Sequence, residues 1–84
     1  MLKLRVLFFA SAREAAGGAS EMEVEVPAGT TARRLLEILA EKHHPRLQQL
    51  LDDLATAVNE KYVAGDTELV DRDVIAVMPP ISGG

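Results

Sequence analysis

The chain of 84 residues, 48% of them apolar, fits one small globular domain, and its formal charge of −4 argues against a nucleic-acid surface, which needs clustered Lys and Arg. It has no cysteine, which removes disulfides, thiolate nucleophiles and cysteine metal ligands together. No stretch reaches the ~18 consecutive apolar residues of a membrane span, so the expectation is a soluble, cytoplasmic protein without a membrane partner.

Leu2 to Ala10 alternates as a strand, with Leu2, Leu4, Val6 and Phe8 on the core face and Lys3, Arg5, Leu7 and Phe9 on the other. Ser11-Ala12-Arg13-Glu14 matches a capping box and predicts a single helical turn, stopped by Gly17-Gly18. No Lys-Ser/Thr or G-x-G-x-x-G pattern accompanies those glycines, so they read as a turn rather than a phosphate loop. Glu21 to Val26 alternates strictly, with Met22, Val24 and Val26 inward and three glutamates outward, the pattern of a half-buried antiparallel strand. Side chains spaced by two along a strand project in parallel, so the glutamates read as a solvated stripe rather than a metal site, and Lys3 and Arg5 are placed to face them.

After Pro27-Ala28-Gly29, Thr30 or Thr31 caps a helix whose Ala32, Leu35, Leu36 and Leu39 share one face. Pro45 ends it near His44. His43 and His44 are adjacent and point about 100° apart, which does not suit a shared metal ion. Pro45 then opens a shorter helix carrying Leu47, Leu50, Leu51 and Leu54. Ala55 to Asn59 and Lys61 to Val63 read as short strands about a turn near Asn59-Glu60, Gly65-Asp66 marks another turn, and Val74 to Met78 is the last strand.

The tail Pro79-Pro80-Ile81-Ser82-Gly83-Gly84 combines two residues of fixed φ with two that have no Cβ. The prolines favour a stiff, extended exit, and the glycines present a backbone narrow enough for a channel. A C-terminal glycine has an unhindered carbonyl carbon, open to activation and attack. On the tail alone, an inert frayed end remains the competing reading.

No repeat, linker or low-complexity block interrupts the chain, so residues 1–84 are expected to form a single domain with 79–84 protruding. The element order predicts an α+β fold, a mixed sheet with helices packed on one face. Ile75 and Val77 then face the helices. If the first and last strands are neighbours, Leu7 and Phe9 lie beside Ala76 and Met78 on the open side, an apolar patch at the root of the tail.

In Val6-Leu7-Phe8-Phe9-Ala10 followed by Arg13-Glu14, in Ala57-Val58-Asn59, in Leu69 with Asp71 and Asp73, and above all in Pro79 to Gly84, the chain resembles the MoaD/ThiS family of sulfur carriers. The likeness covers its full length and is strongest to the small subunits of molybdopterin synthase. It implies a ubiquitin-like β-grasp fold with a flexible C-terminal Gly-Gly tail. It further implies that the Gly84 carboxylate is adenylated by an E1-like enzyme using ATP and converted to a thiocarboxylate with sulfur from a donor protein. The large synthase subunit then catalyses transfer of that sulfur to cyclic pyranopterin monophosphate, within a heterotetramer. On this resemblance the chain donates sulfur without being the catalytic subunit and binds no cofactor or metal. Phe9 and Met78 pack on the partner, Pro79, Pro80, Ile81, Ser82 and Gly83 thread towards its active site, and Arg13 lies near partner contacts.

One position departs from the family pattern. Relatives often have glycine between the two aspartates, where this chain has Arg72, so that turn is either strained or of another type. The rival readings are a sulfur carrier for thiamine or tRNA thiolation, a ubiquitin-like modifier forming isopeptide bonds through Gly84, and an interaction module with an inert tail.

Overall fold

The computed structural model describes residues 1–79. Strand β1 (Leu2–Phe8) runs into helix α1 (Ala10–Ala15), followed by β2 (Glu21–Val26), helix α2 (Ala32–Lys42), a 3-10 helix (Pro45–Asp53), the short strands β3 (Ala55–Val58) and β4 (Lys61–Val63), and β5 (Val74–Met78). The five strands form one sheet in the order β2-β1-β5-β3-β4, in which only the central pair β1 and β5 is parallel. Among the described residues no helix is long and apolar enough to cross a membrane.

The alternation in β1, β2 and β5 explains the layering. Leu4, Val6 and Phe8, Val24 and Val26, and Ile75 and Val77 are all buried, and they meet Leu35, Leu36 and Leu39 of α2 and Leu47 and Leu51 of the 3-10 helix in one cluster. Both helices therefore cover the same face of the sheet. The predicted α+β plan with a single covered face is the one observed.

Several local expectations are corrected. β1 ends at Phe8, not Ala10, and the capping box at Ser11 does not form. Phe9 is the N-cap of α1, with extended backbone and no side-chain cap, and its carbonyl accepts from the Ala12 and Arg13 N–H groups at 3.0 and 3.3 Å. The Phe9 N–H meanwhile donates to Val77 O at 3.0 Å, continuing the ladder to β5. The sheet thus fixes where the helix begins, and Ser11 falls inside it. α1 has six residues rather than one turn and is held by its buried Ala12 and Ala15. It ends in a Schellman motif, in which Gly18 N–H donates to Arg13 O at 2.9 Å and Gly17 N–H to Glu14 O at 3.1 Å, with φ of 71° and 90° at the two glycines.

Thr31, not Thr30, caps α2, accepting from Arg34 N–H at 3.1 Å, while the Thr30 hydroxyl donates to Pro27 O at 2.7 Å. α2 stops at Lys42, slightly earlier than predicted, because the His43 and His44 N–H groups both return to Leu39 O. The following helix is 3-10 throughout. Leu47 and Leu51 are buried and Leu50 is partly buried against the core, and residues three apart, such as Leu47 and Leu50, fall on one side of a 3-10 helix.

Candidate functional site

The face of the sheet opposite the helices divides into a charged half and an apolar half. On the β2 side, Lys3 pairs in register with Glu25 and Arg5 with Glu23. Arg5 reaches diagonally to Glu21, with its Nη2 at 2.6 Å and its Nε donating at 2.7 Å to Oε2. Both groups are well exposed, so the pair closes the edge without adding much stability.

The apolar half is built by the parallel pairing of β1 with β5. Leu7 lies opposite Ala76, and the row continues in register to Ala57 on β3 and Tyr62 on β4. Val74, Ala76 and Met78 are half-buried on this side, as predicted, whereas Phe9 and Tyr62 remain 44% and 59% exposed. The Tyr62 hydroxyl donates to Met78 Sδ at 3.5 Å, drawing β4 towards the end of β5. Phe9 is fixed by its backbone on both sides, its N–H to β5 and its carbonyl to α1, so the point from which its exposed ring projects is set by the sheet.

Of the residues singled out from the sequence, Leu7, Phe9, Ala76 and Met78 share this face. Leu7, Phe9 and Ala76 line one groove of about 450 Å³ together with Asn59, Glu60 and Val74. Arg13 is exposed on α1, and its N–H donates to Phe9 O. Pro79 is half-buried directly after β5. The predicted Pro80, Ile81, Ser82, Gly83 and Gly84 lie outside the described residues.

The groove has a polar wall that the sequence reading did not anticipate. Asn59 and Glu60 form the β3–β4 turn with φ of 50° and 74°, the sign pattern of a type I′ hairpin. Three bonds clasp that turn to the start of β5. Asn59 N–H donates to Val74 O at 2.8 Å, Val74 N–H to Asn59 Oδ1 at 3.1 Å, and Asn59 Nδ2 to Asp73 Oδ1 at 2.9 Å. Buried Asp73 also accepts from Val70 N–H through Oδ2 at 2.9 Å. Arg72 does sit at positive φ, 75°, in a turn closed by the Asp73 N–H to Val70 O bond of 3.2 Å, the geometry of a type II turn in which glycine is favoured. Asp71 holds this turn against β1 by accepting from Lys3 N–H at 2.7 Å.

Tyr62 is the functional candidate that sequence reasoning missed. Among the described residues no three His, Asp or Glu side chains come together as a metal site. His44 instead packs edge-on against buried Phe8, ring centroids 5.6 Å apart, on the covered side of the sheet. Burial, reinforced by the neighbouring His43, pushes the His44 imidazole below its ordinary pKa.

Comparison with known proteins identifies the arrangement. The sequence model of the ThiS family matches residues 6–84. The chain belongs to the ThiS family. It is 37% identical over 84 residues to the molybdopterin synthase sulfur carrier subunit of Mycobacterium tuberculosis, covering 100% of both chains. The complex of subunits 1 and 2 of molybdopterin-converting factor from Helicobacter pylori contains a similar chain, with TM-score 0.68 and 27% identity over 99% of this chain and 100% of that one. The small archaeal modifier protein 1 of Methanosarcina acetivorans is also similar, with TM-score 0.78 and 26% identity over 100% and 98% of the two chains. The fold of this ThiS-family chain is the ubiquitin-like β-grasp, as the resemblance implied.

Proposed function

We propose that this chain is the sulfur carrier subunit of a molybdopterin synthase. The observation that carries the proposal is the end-to-end similarity to a sulfur carrier subunit of that enzyme, within a family match that runs to Gly84. The apolar open face that leads along β5 to Pro79 supports it, because a carrier must dock by one surface while its tail enters a site owned by the partner.

The chemistry follows from the carboxylate at Gly84. With a reference pKa of ~3.3–3.7 a terminal carboxyl is an anion at neutral pH and a poor electrophile. An E1-like enzyme removes this obstacle. A carboxylate oxygen attacks the α-phosphorus of ATP, pyrophosphate leaves, and the resulting acyl adenylate has AMP as leaving group. Sulfide-level sulfur supplied by a donor protein, as HS−, attacks the acyl carbon, AMP leaves, and the product is the thiocarboxylate. Because the chain contains no cysteine, it cannot carry sulfur as a persulfide of its own. The large subunit then receives the tail, with the apolar face around Leu7, Phe9, Ala76 and Met78 packed against it and Pro79 to Gly83 threaded towards the pterin, and directs the sulfur to cyclic pyranopterin monophosphate. Catalytic acids and bases belong to that subunit.

The test is reconstitution. Thiocarboxylated chain, large subunit and the pterin precursor are expected to yield molybdopterin. A second reading, a protein modifier that forms isopeptide bonds through Gly84, is favoured by the likeness to the archaeal modifier. Conjugates or thiolated tRNA in place of molybdopterin would overturn the synthase assignment.

A further inference from the structure

Among the described residues Glu60 is the one charged residue lining the apolar groove, and the proposed role does not use it. It is exposed, and among the described residues its carboxylate makes no ion pair or hydrogen bond. It also sits at φ 74°, a backbone conformation that glycine would adopt more readily. The clasp between Asn59 and the Asp73-Val74 segment holds the turn from which Glu60 projects and uses both ends of the Asn59 amide. Glu60 therefore supplies the groove's remaining polar function, on a support that is fixed before any partner arrives.

The rest of the groove is walled by Leu7, Phe9, Val74 and Ala76, about 450 Å³ in all. A purely apolar side chain would fill it but leave the carboxylate stripped of water without a partner, which is costly. A lysine would answer the charge, yet its ammonium is compact and strongly hydrated and gains little from an aromatic wall. Arginine answers every surface at once. Its methylene stem covers Leu7, Val74 and Ala76, its planar guanidinium stacks against Phe9, and its N–H fork pairs with a carboxylate.

We propose that this groove receives an arginine side chain from the large synthase subunit, with Glu60 as its counter-ion. The assignment rests on reading the chain as a synthase carrier subunit. The groove is continuous with the face proposed to dock, and the chain's net charge of −4 favours a basic contact. Glu60 is then a specificity-determining residue, distinguishing partners that carry the arginine from those that do not.

The experiment is calorimetric titration of the full chain into the purified large subunit, at low salt and again at several hundred millimolar. Glu60→Gln keeps the shape and removes the charge, and is expected to weaken binding about tenfold at low salt. Most of that difference should disappear at high salt, where the ion pair is screened. Glu60→Lys should weaken it further. Melting curves matching the parent exclude unfolding as the cause, as expected for an exposed turn residue. Unchanged affinity in Glu60→Gln, or a loss that is undiminished by salt, overturns the arginine assignment while leaving the synthase reading intact. Failure of the parent chain to bind the large subunit at all overturns both.

Discussion

Replacing Phe9 by alanine tests the proposed docking role of the open face. Phe9 leaves 44% of its surface exposed, and a phenylalanine offers roughly 200 Å², so a partner seated on this face would remove about 90 Å² from water. At ~25 cal/mol per Å² that area is worth about 2 kcal/mol, or a roughly thirtyfold weaker Kd for the large subunit in Phe9→Ala. The fold should survive, because the bonds that fix this position are made by the Phe9 backbone, its N–H to Val77 and its carbonyl to α1. Phe9→Leu keeps most of the area and should recover most of the affinity. The assay is calorimetric titration against the large subunit, with melting curves as the control for folding. A Phe9→Ala variant that stays folded and binds within threefold of the parent would refute the placement of the interface on this face.

Arg72→Gly relieves the positive φ but adds freedom to the unfolded chain, and the balance is a gain of about 0.5–1 kcal/mol. Its exposed contact with Asp71 is worth little, so the melting temperature should rise by about 2–8 °C, and a fall would show that φ 75° carries no cost here. Asn59→Ala removes a donor from buried Asp73 and an acceptor from Val74 N–H, and should cost about 2–3 kcal/mol in urea unfolding; a loss under 0.5 kcal/mol would mean the clasp is dispensable. His44 has a folded pKa below its unfolded value of 6.5, so its contribution to stability is fully present above that pH and is lost as pH falls from there towards the folded pKa. His44→Gln should flatten the stability profile just below pH ~6.5, and an unchanged slope would assign that titration elsewhere.

The parts of the fold legible in the sequence are those where one face decides the pattern. β2 was readable to the residue because glutamates alternate with Met22, Val24 and Val26, and the inward and outward sides of β1 and β5 followed in the same way. The start of α1 was not, because a local signal at Ser11 and Glu14 competed with a bond from Phe9 to a strand nearly seventy residues away, and the sheet won. The 3-10 geometry of Pro45–Asp53 was hidden because leucines three apart, Leu47 with Leu50 and Leu51 with Leu54, suit either helix. In the candidate site, Leu7, Phe9, Ala76 and Met78 were found from alternation together with the assumption, which the structure bears out, that the first and last strands are neighbours. Tyr62 was missed because a strand of three residues sets no face by itself; its side is fixed by register with Ala57. The polar wall of the groove escaped for a similar reason, since Asn59 meets Asp73 only after both turns have formed.

The decisive measurement is the intact mass of the chain after incubation with an E1-like adenylating enzyme, ATP and a sulfur donor, followed by fragmentation to locate the change. Replacement of one oxygen by sulfur at Gly84, reversed when the large subunit and pterin precursor are added, is the expected result. An unaltered Gly84, or sulfur found on any other residue, would contradict the carrier role.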